Sequence, residues 1–341
     1  MAYTEIDNPE LYFQCKTYGF TTGAQSITFD NTETSMQPDM VWIKSTSNSG
    51  YNHVLNDSTR GVTKFLRPNL TSQEATITDA LTSFDSNGFT LGADGTNGEH
   101  NDHNQSQSYI AWAWKKNSGL FDIVTYTGNA TNRTISHSLS AIPTMIWIKN
   151  RDSSGGSGEH WLVYHASLNN THGLLLNQNA LKSDDATYFQ DTTPTSSVFS
   201  IGTSDRANKN SEGNVAFLFA DKQGFQKTGF YTGGATSFRF IYTGFKPAYV
   251  LIKGAVSGSG DAQQNWEIHD NKRQGFNGGQ NLLSSSTNAS QSTNDRIHFM
   301  SNGFKINVNS DGVNDQGSTY VYYAVASSPF TNSSGVPTNA Y

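Results

Sequence analysis

The residues best able to do chemistry lie in one polar stretch, with Asp94, Glu99, His100, Asp102 and His103 inside ten positions. Carboxylate oxygens at that density suit a hard cation such as calcium, and imidazoles suit a transition metal. Asp94, Glu99 and Asp102 are the candidate metal ligands, with calcium the ion they would take, and no other cofactor is expected. Tyr51 is one of the few loop aromatics, and with Asp94 and Asp102 it forms the candidate glycan contact. Catalytic chemistry is harder to place. Glycoside hydrolysis needs two carboxylates ~5–9.5 Å apart. A strand-borne Glu-x-Asp-x-Glu is absent, and Glu267 and Asp270, three apart, would point to opposite faces of a strand. The chain has no G-x-S-x-G elbow, Walker loop, H-E-x-x-H or EF-hand pattern. His53, His165 and His269 each stand by an apolar run with no motif-placed Cys or Ser partner, and they read as structural. The expected chemistry is binding, not turnover.

The elements that must position these residues follow from composition. Of 341 residues, 40 are Ser, 36 Thr and 33 Asn, whereas Glu occurs eight times and charged residues make up 15%. Helices draw on Glu, Lys, Arg and Ala, and strands draw on Thr, Tyr, Phe, Val and Ile. Aromatics at 12% supply the apolar bulk that a disordered chain lacks. The chain therefore reads as ordered, loop-rich and all-β. A net charge of −6 with scattered basic residues implies no nucleic-acid surface. Cys15 is the single cysteine, so no internal disulfide forms. No run approaches the ~20 apolar residues of a membrane helix, and the opening residues lack the pattern of a classical signal peptide, so neither a membrane nor secretion is expected.

Self-similarity organises the rest. Pro38-Asp-Met-Val-Trp-Ile-Lys44 recurs as Pro143-Thr-Met-Ile-Trp-Ile-Lys149 and Pro247-Ala-Tyr-Val-Leu-Ile-Lys253. Ile110-Ala-Trp-Ala-Trp114 recurs as Val215-Ala-Phe-Leu-Phe219 and, more loosely, Tyr320-Val-Tyr-Tyr-Ala324. Asn87-Gly88 and Asn302-Gly303, each between apolar alternations, signal hairpins, because both residue types tolerate positive φ. The second copy lacks this signal. A period near 105 residues exceeds that of solenoids and propellers and suits β-sandwiches of ~100 residues. The reading is three tandem β-sandwich, jelly-roll-like domains at 12–119, 120–224 and 225–330, with arms at 1–11 and 331–341. In the closing strand of the first copy Ile110, Trp112 and Trp114 face one side and Ala111 and Ala113 the other. Such a strand is central, with a sheet packed on one side and something small on the other. The six tryptophans could stack on sugar rings, but five of them have an aromatic or aliphatic counterpart in another copy at the centre of a strand, so they are expected first as core residues. Tyr3, Ile6, Pro9 and Leu11 make the head an anchoring arm, ordered by docking on something.

The unit motifs carry a resemblance. Tyr126-Thr-Gly-Asn129, the Pro-x-x-Val/Ile-Trp-Ile-Lys strand, Ser86-Asn-Gly-Phe-Thr-Leu-Gly92 and Tyr109-Ile-Ala-Trp-Ala-Trp114 together resemble a repeated β domain of uncharacterised function. That domain occurs in virion proteins of marine tailed bacteriophages, cyanophages and pelagiphages among them. The resemblance spans about 12–330 and weakens in the third copy, where Leu251 replaces Trp. It implies a non-enzymatic structural protein on the particle exterior, made in the host cytoplasm, as tail fibre, fibre-associated protein or head decoration. Its implied partners are other virion proteins, further copies of itself as a trimer, and a host-surface glycan. A carbohydrate-binding module and a polysaccharide depolymerase are the alternatives. The motifs are structural and transfer no catalytic residue.

Overall fold

The computed structural model describes residues 4–338 except 32, 96, 103–105, 235, 237, 259–263 and 274–280. Among them the chain is nearly all β; its two α-helices, Ala186–Phe189 and Asp205–Asn208, have four residues each. Three six-stranded antiparallel sheets dominate, and each draws its strands from one repeat in the same order. In the first repeat that order is Phe13–Gly19, Ser108–Trp114, Met40–Ser45, Val54–Asp57, Lys64–Leu66 and Ala75–Thr76. The repeat's closing strand thus lies between its opening strand and the Pro-led strand, which explains its apolar residues on both faces. The register repeats too, with Trp42 opposite Trp112, Trp147 opposite Phe217 and Leu251 opposite Tyr323.

A smaller sheet covers the outer face of each large one. It comprises Gln25–Thr28, Gly88–Leu91 and Leu81–Asp85 in the first repeat, and Arg239–Tyr242, Gly303–Ile306 and Ile297–Met300 in the third. The second repeat keeps two strands, Arg133–Ser136 and Val198–Ile201, consistent with its missing Asn-Gly hairpin. Gly88 has φ +131°, and a Cβ there would lie 2.0 Å from the Ile27 carbonyl oxygen, so a side chain is excluded twice over. The Pro-led strands of the first two repeats begin at Met40 and Met145, just past the proline. In the third repeat the strand starts earlier, at Phe245, and Pro247 sits inside it between two register shifts. The bulge absorbs the missing N–H.

What fills the inner faces departs from the expectation of a small neighbour. Ala111 and Ala113 face the outer sheet of their own repeat, within a core that includes Ile27, Val41 and Phe89. Ile110, Trp112 and Trp114 instead join one cluster shared by all three repeats, with Trp147, Phe217, Phe219, Tyr249, Leu251 and Tyr323 among its members. Rings meet across repeats: Trp42 and Trp147 have centroids 5.6 Å apart, Trp112 and Tyr249 5.8 Å, Trp114 and Phe219 6.3 Å, and Phe219 and Tyr323 5.0 Å. All six tryptophans are buried. The large side chains must go where two other sheets supply matching bulk; the alanines let a repeat's own small sheet approach.

One backbone bond occurs three times and closes the ring. The N–H before each short sixth strand donates to a carbonyl at the end of the next repeat's Pro-led strand. Glu74 N bonds Arg151 O at 2.8 Å, Lys182 N bonds Ala255 O at 3.1 Å, and Gln291 N bonds Thr46 O at 2.9 Å. A second series runs the other way. Trp161 Nε1 donates to Arg67 O at 3.1 Å, Trp266 Nε1 to Leu175 O at 2.9 Å, and His53 Nε2 to Ser284 O at 2.9 Å. The third repeat is therefore joined to the first as the first is to the second, a pseudo-threefold body within one chain.

Candidate functional site

The described residues of the first repeat's polar stretch are tied to the body of the protein. Asp94, Glu99 and Asp102 are all buried. Asp94 Oδ2 accepts from the His100 N–H at 2.8 Å and lies 3.3 Å from His100 Nδ1. Burial works to raise the Asp94 pKa, but the imidazole and the backbone donors at His100 and Asn97 outweigh it and hold the carboxyl below its ordinary range. Glu99 is clamped by Arg67, with Nε at 2.9 and 3.0 Å, and by Asn52 Nδ2 at 2.8 Å. Asp102 accepts the Tyr51 hydroxyl, and burial followed by that bond pushes the Tyr51 pKa to about 12. The three carboxylates are thus brought into one loop but turned to different partners. Among the described residues no three His, Cys, Asp or Glu side chains converge to hold an ion. The candidate calcium ligands Asp94, Glu99 and Asp102, and the candidate glycan contact Tyr51, are thus each engaged by groups of this chain. Placing carboxylates in a buried loop demands partners from the protein itself. His103 lies outside the described residues.

What the loops share is an asparagine that the sequence reading passed over. Asn101, Asn208 and Asn314 are each completely buried. Asn101 Oδ1 accepts from Thr21 N at 2.9 Å, while its Nδ2 donates to Gly92 O at 2.9 Å and Gly23 O at 3.0 Å. Asn208 accepts from Asn129 N at 2.9 Å and donates to Gly202 O and Thr131 O, both at 2.7 Å. Asn314 accepts from Gly234 N at 3.0 Å and donates to Thr236 O at 3.0 Å and Val308 O at 3.1 Å. The carbonyl one residue earlier accepts a tyrosine hydroxyl each time: Tyr18 to His100 at 2.8 Å, Tyr126 to Ala207 at 2.7 Å, and Tyr231 to Val313 at 2.8 Å. One amide ties the long loop to the turn after the opening strand. The signal available was Asn 82 or 83 residues after the repeated Tyr, hidden among 33 asparagines.

The lysine of each Pro-led strand is also fully buried. Lys44 Nζ donates to Ser45 O at 2.8 Å and Asn48 O at 3.2 Å, and Lys149 Nζ to Asn150 O at 2.7 Å and Thr71 O at 3.3 Å. Lys253 Nζ donates to Asn179 O at 2.8 Å and to Gln264 O. Desolvation lowers these pKa values to about 8, 8 and 7. A neutral amine has two N–H groups, enough for two carbonyls. The histidines behave in the same way. His53 Nδ1 accepts from Trp42 Nε1 at 3.0 Å, and burial holds its pKa well below 6.5. His165 Nδ1 accepts from Ser167 N at 3.2 Å, its Nε2 bonds Tyr322 O at 3.1 Å, and burial lowers its pKa to about 4. Both are neutral supports at pH 7, as expected of strand-borne histidines.

These groups set an unusual pH profile. From pH 6.5 down to about 4 the unfolded chain takes up a proton at His165 that the folded chain refuses, so stability falls on acidification. From about 7 up to 10.5 the unfolded chain still carries lysine protons that the buried amines have shed, so stability rises with pH. Above 10, tyrosines ionise first in the unfolded chain, because burial raises Tyr18, Tyr231 and Tyr249 well above that value, and stability falls again. Urea midpoints measured from pH 5 to 11 are expected to climb steadily and peak near pH 10. His165 alone contributes about 3 kcal/mol to the acid limb.

The head of the chain docks on its own body. Ile6 joins the shared core and Pro9 is buried; Leu11 closes the single turn Pro9–Leu11 and is half-buried. Thr4 Oγ1 donates to Gln223 O at 3.1 Å, Glu5 pairs with Lys222, and Asp7 accepts from Ser333 N at 2.7 Å. Of the residues assigned to the anchoring arm, Ile6 is thus held by this chain's own core, while Leu11 stays half-buried at the surface. Tyr3 lies outside the described residues.

Fold and loops together define a class, a threefold internally repeated all-β protein whose polar loops are tied inward. The chain matches the family described as Domain of unknown function (DUF7483) over residues 8–329, and it belongs to that family. No curated protein matches it. Among the described residues no helix is long and apolar enough to cross a membrane.

Proposed function

We propose that the chain is a non-enzymatic structural protein on the exterior of a tailed-bacteriophage particle, in the tail or as a head decoration. The observation that carries the mechanical part of this reading is the ring closure through Glu74, Lys182 and Gln291 around a shared aromatic core. Such a body has few independent parts and resists local opening. The setting rests on the resemblance of the repeat motifs to virion proteins. The non-enzymatic part of the reading is supported by the engagement of Asp94, Glu99, Asp102, His53 and His165 in structural bonds. Gold-labelled antibody against this chain, applied to intact particles, is expected to decorate tail or head. Protein confined to infected lysate, with unlabelled particles, would overturn the reading.

Carbohydrate binding is kept as a second reading because one exposed aromatic surface, away from the residues first assigned to it, favours it.

A further inference from the structure

The third repeat carries a surface that the other two do not. Phe238, Phe240 and Tyr242 are 64%, 50% and 56% exposed, and Phe230 on the neighbouring opening strand is 62% exposed. The buried Ile241, Ile135 and Ile27 fix the equivalence of the three outer strands. Where repeat three has Phe238, Phe240 and Tyr242, repeat two has Asn132, Thr134 and Ser136, and repeat one has Ala24, Ser26 and Thr28. Phe230 stands where they have Thr125 and Thr17. Two copies fold with small or polar residues at all four places, so the rings answer to something other than folding.

Their arrangement is a row. Phe240 and Tyr242 alternate along the strand Arg239–Tyr242, so their side chains stand ~6.6–6.8 Å apart on one face, and Phe238 precedes the strand with φ +80°. Phe240 lies over the neighbouring strand, where its ring edge would be 3.0 Å from a Cβ at Gly303. It therefore presents a face and does not project. Lys305 Nζ sits 4.2 Å from the Phe238 ring centroid, and Lys227 Nζ 5.4 Å from that of Tyr242. The central ring is open and each end carries an ammonium. Phe230, Phe240, Tyr242, Arg239 and Lys227 line one shallow groove, and no carboxylate lines it. Among the described residues neither Arg239 nor Lys305 forms an ion pair. In a chain of net charge −6, residues 222–260 hold five Lys or Arg and no Asp or Glu.

We propose that this face binds an extended acidic polysaccharide. The apolar C–H face of a pyranose matches the negative face of an aromatic ring. A carboxylate or sulfate on adjoining sugars would meet Lys305, Arg239 and Lys227. A polyanion such as single-stranded nucleic acid calls for more phosphate contacts than three cations supply. A membrane surface calls for rings that project beyond the body. The proposal does not depend on where the protein resides.

Affinity electrophoresis tests it, with native gels cast with alginate, a linear polyuronate, or with neutral dextran. Alginate is expected to retard the intact chain and dextran to leave it unaffected. The variant F238N/F240T/Y242S, which installs the second repeat's residues, is expected to bind alginate at least tenfold more weakly with an unchanged melting temperature. F240T alone is expected to show most of that loss, and K305S several-fold. No retardation by alginate, equal retardation by dextran, or unchanged retardation of the folded triple variant would overturn the proposal. So would ring-dependent binding to oligo(dT) or phosphatidylglycerol vesicles in place of alginate, or ring-dependent self-association.

Discussion

Residues 120–224 expressed alone are expected to show no cooperative unfolding transition, whereas the whole chain unfolds in one. The second repeat has two apolar faces. One is satisfied within the repeat, where Ile146, Ile148, Leu162 and Ala216 pack with Phe199 and Ile201. The other includes Phe121, Met145, Trp147, Trp161, Phe217 and Phe219, buried in the cluster shared with the first and third repeats. Each such side chain returned to water costs about 1.5–3 kcal/mol. Six of them cost about 9–18 kcal/mol, as much as or more than the stability of an ordinary domain. The isolated repeat would also lose its Lys182 N–H and Trp161 indole bonds to neighbours. Urea titration followed by tryptophan fluorescence and far-UV circular dichroism checks this. A sigmoidal transition in the fragment, coincident by both probes, would show that the sandwich is autonomous.

Asp270→Ala is expected to be the most damaging single change, at about 3–5 kcal/mol. Asp270 and Arg273 are buried together, with Nε 2.6 Å from Oδ2 and Arg273 N 2.9 Å from Oδ1. The same Oδ2 accepts from Trp112 Nε1 at 3.0 Å, across from the first repeat. Removing the carboxylate strands a guanidinium in the interior and orphans an indole N–H at an inter-repeat contact. Asp270→Asn keeps the volume and one acceptor, so its loss is expected to be smaller. Adding Arg273→Met to Asp270→Ala is expected to recover part of the stability, since the uncompensated charge is gone. A double mutant no more stable than Asp270→Ala would place the energy in the indole bond and not in the ion pair. The second repeat has His165 at this place, and its neutral ring makes backbone bonds only.

Much of the fold was legible because strand physics is local. The alternation in Ile110–Trp114 and the Asn87-Gly88 and Asn302-Gly303 turns depends on neighbouring residues, and the structure has the strands and hairpins there. The partners of the candidate site residues were not legible. Asp94, Glu99 and Asp102 cluster in sequence, yet whether a carboxylate meets a cation, an arginine or a tyrosine depends on residues far along the chain, here Arg67 and Tyr51. Asn101, Asn208 and Asn314 escaped notice for the complementary reason: a buried amide and a surface amide look alike in a chain rich in asparagine.

The sequence by itself determined an all-β chain, its three copies and which residues share a face, since composition, period and turn chemistry act over a few residues. Only the tertiary structure decided where the second apolar face goes. Trp42, Trp114, Trp147 and Tyr249 cannot choose between a neighbour in their own repeat and one in another until the sheets are brought together. Hydrophobic burial is not directional and specifies that a face be covered, not by what. Ring closure through Glu74, Lys182 and Gln291 made that choice, and the same closure left the rings of the third repeat outside.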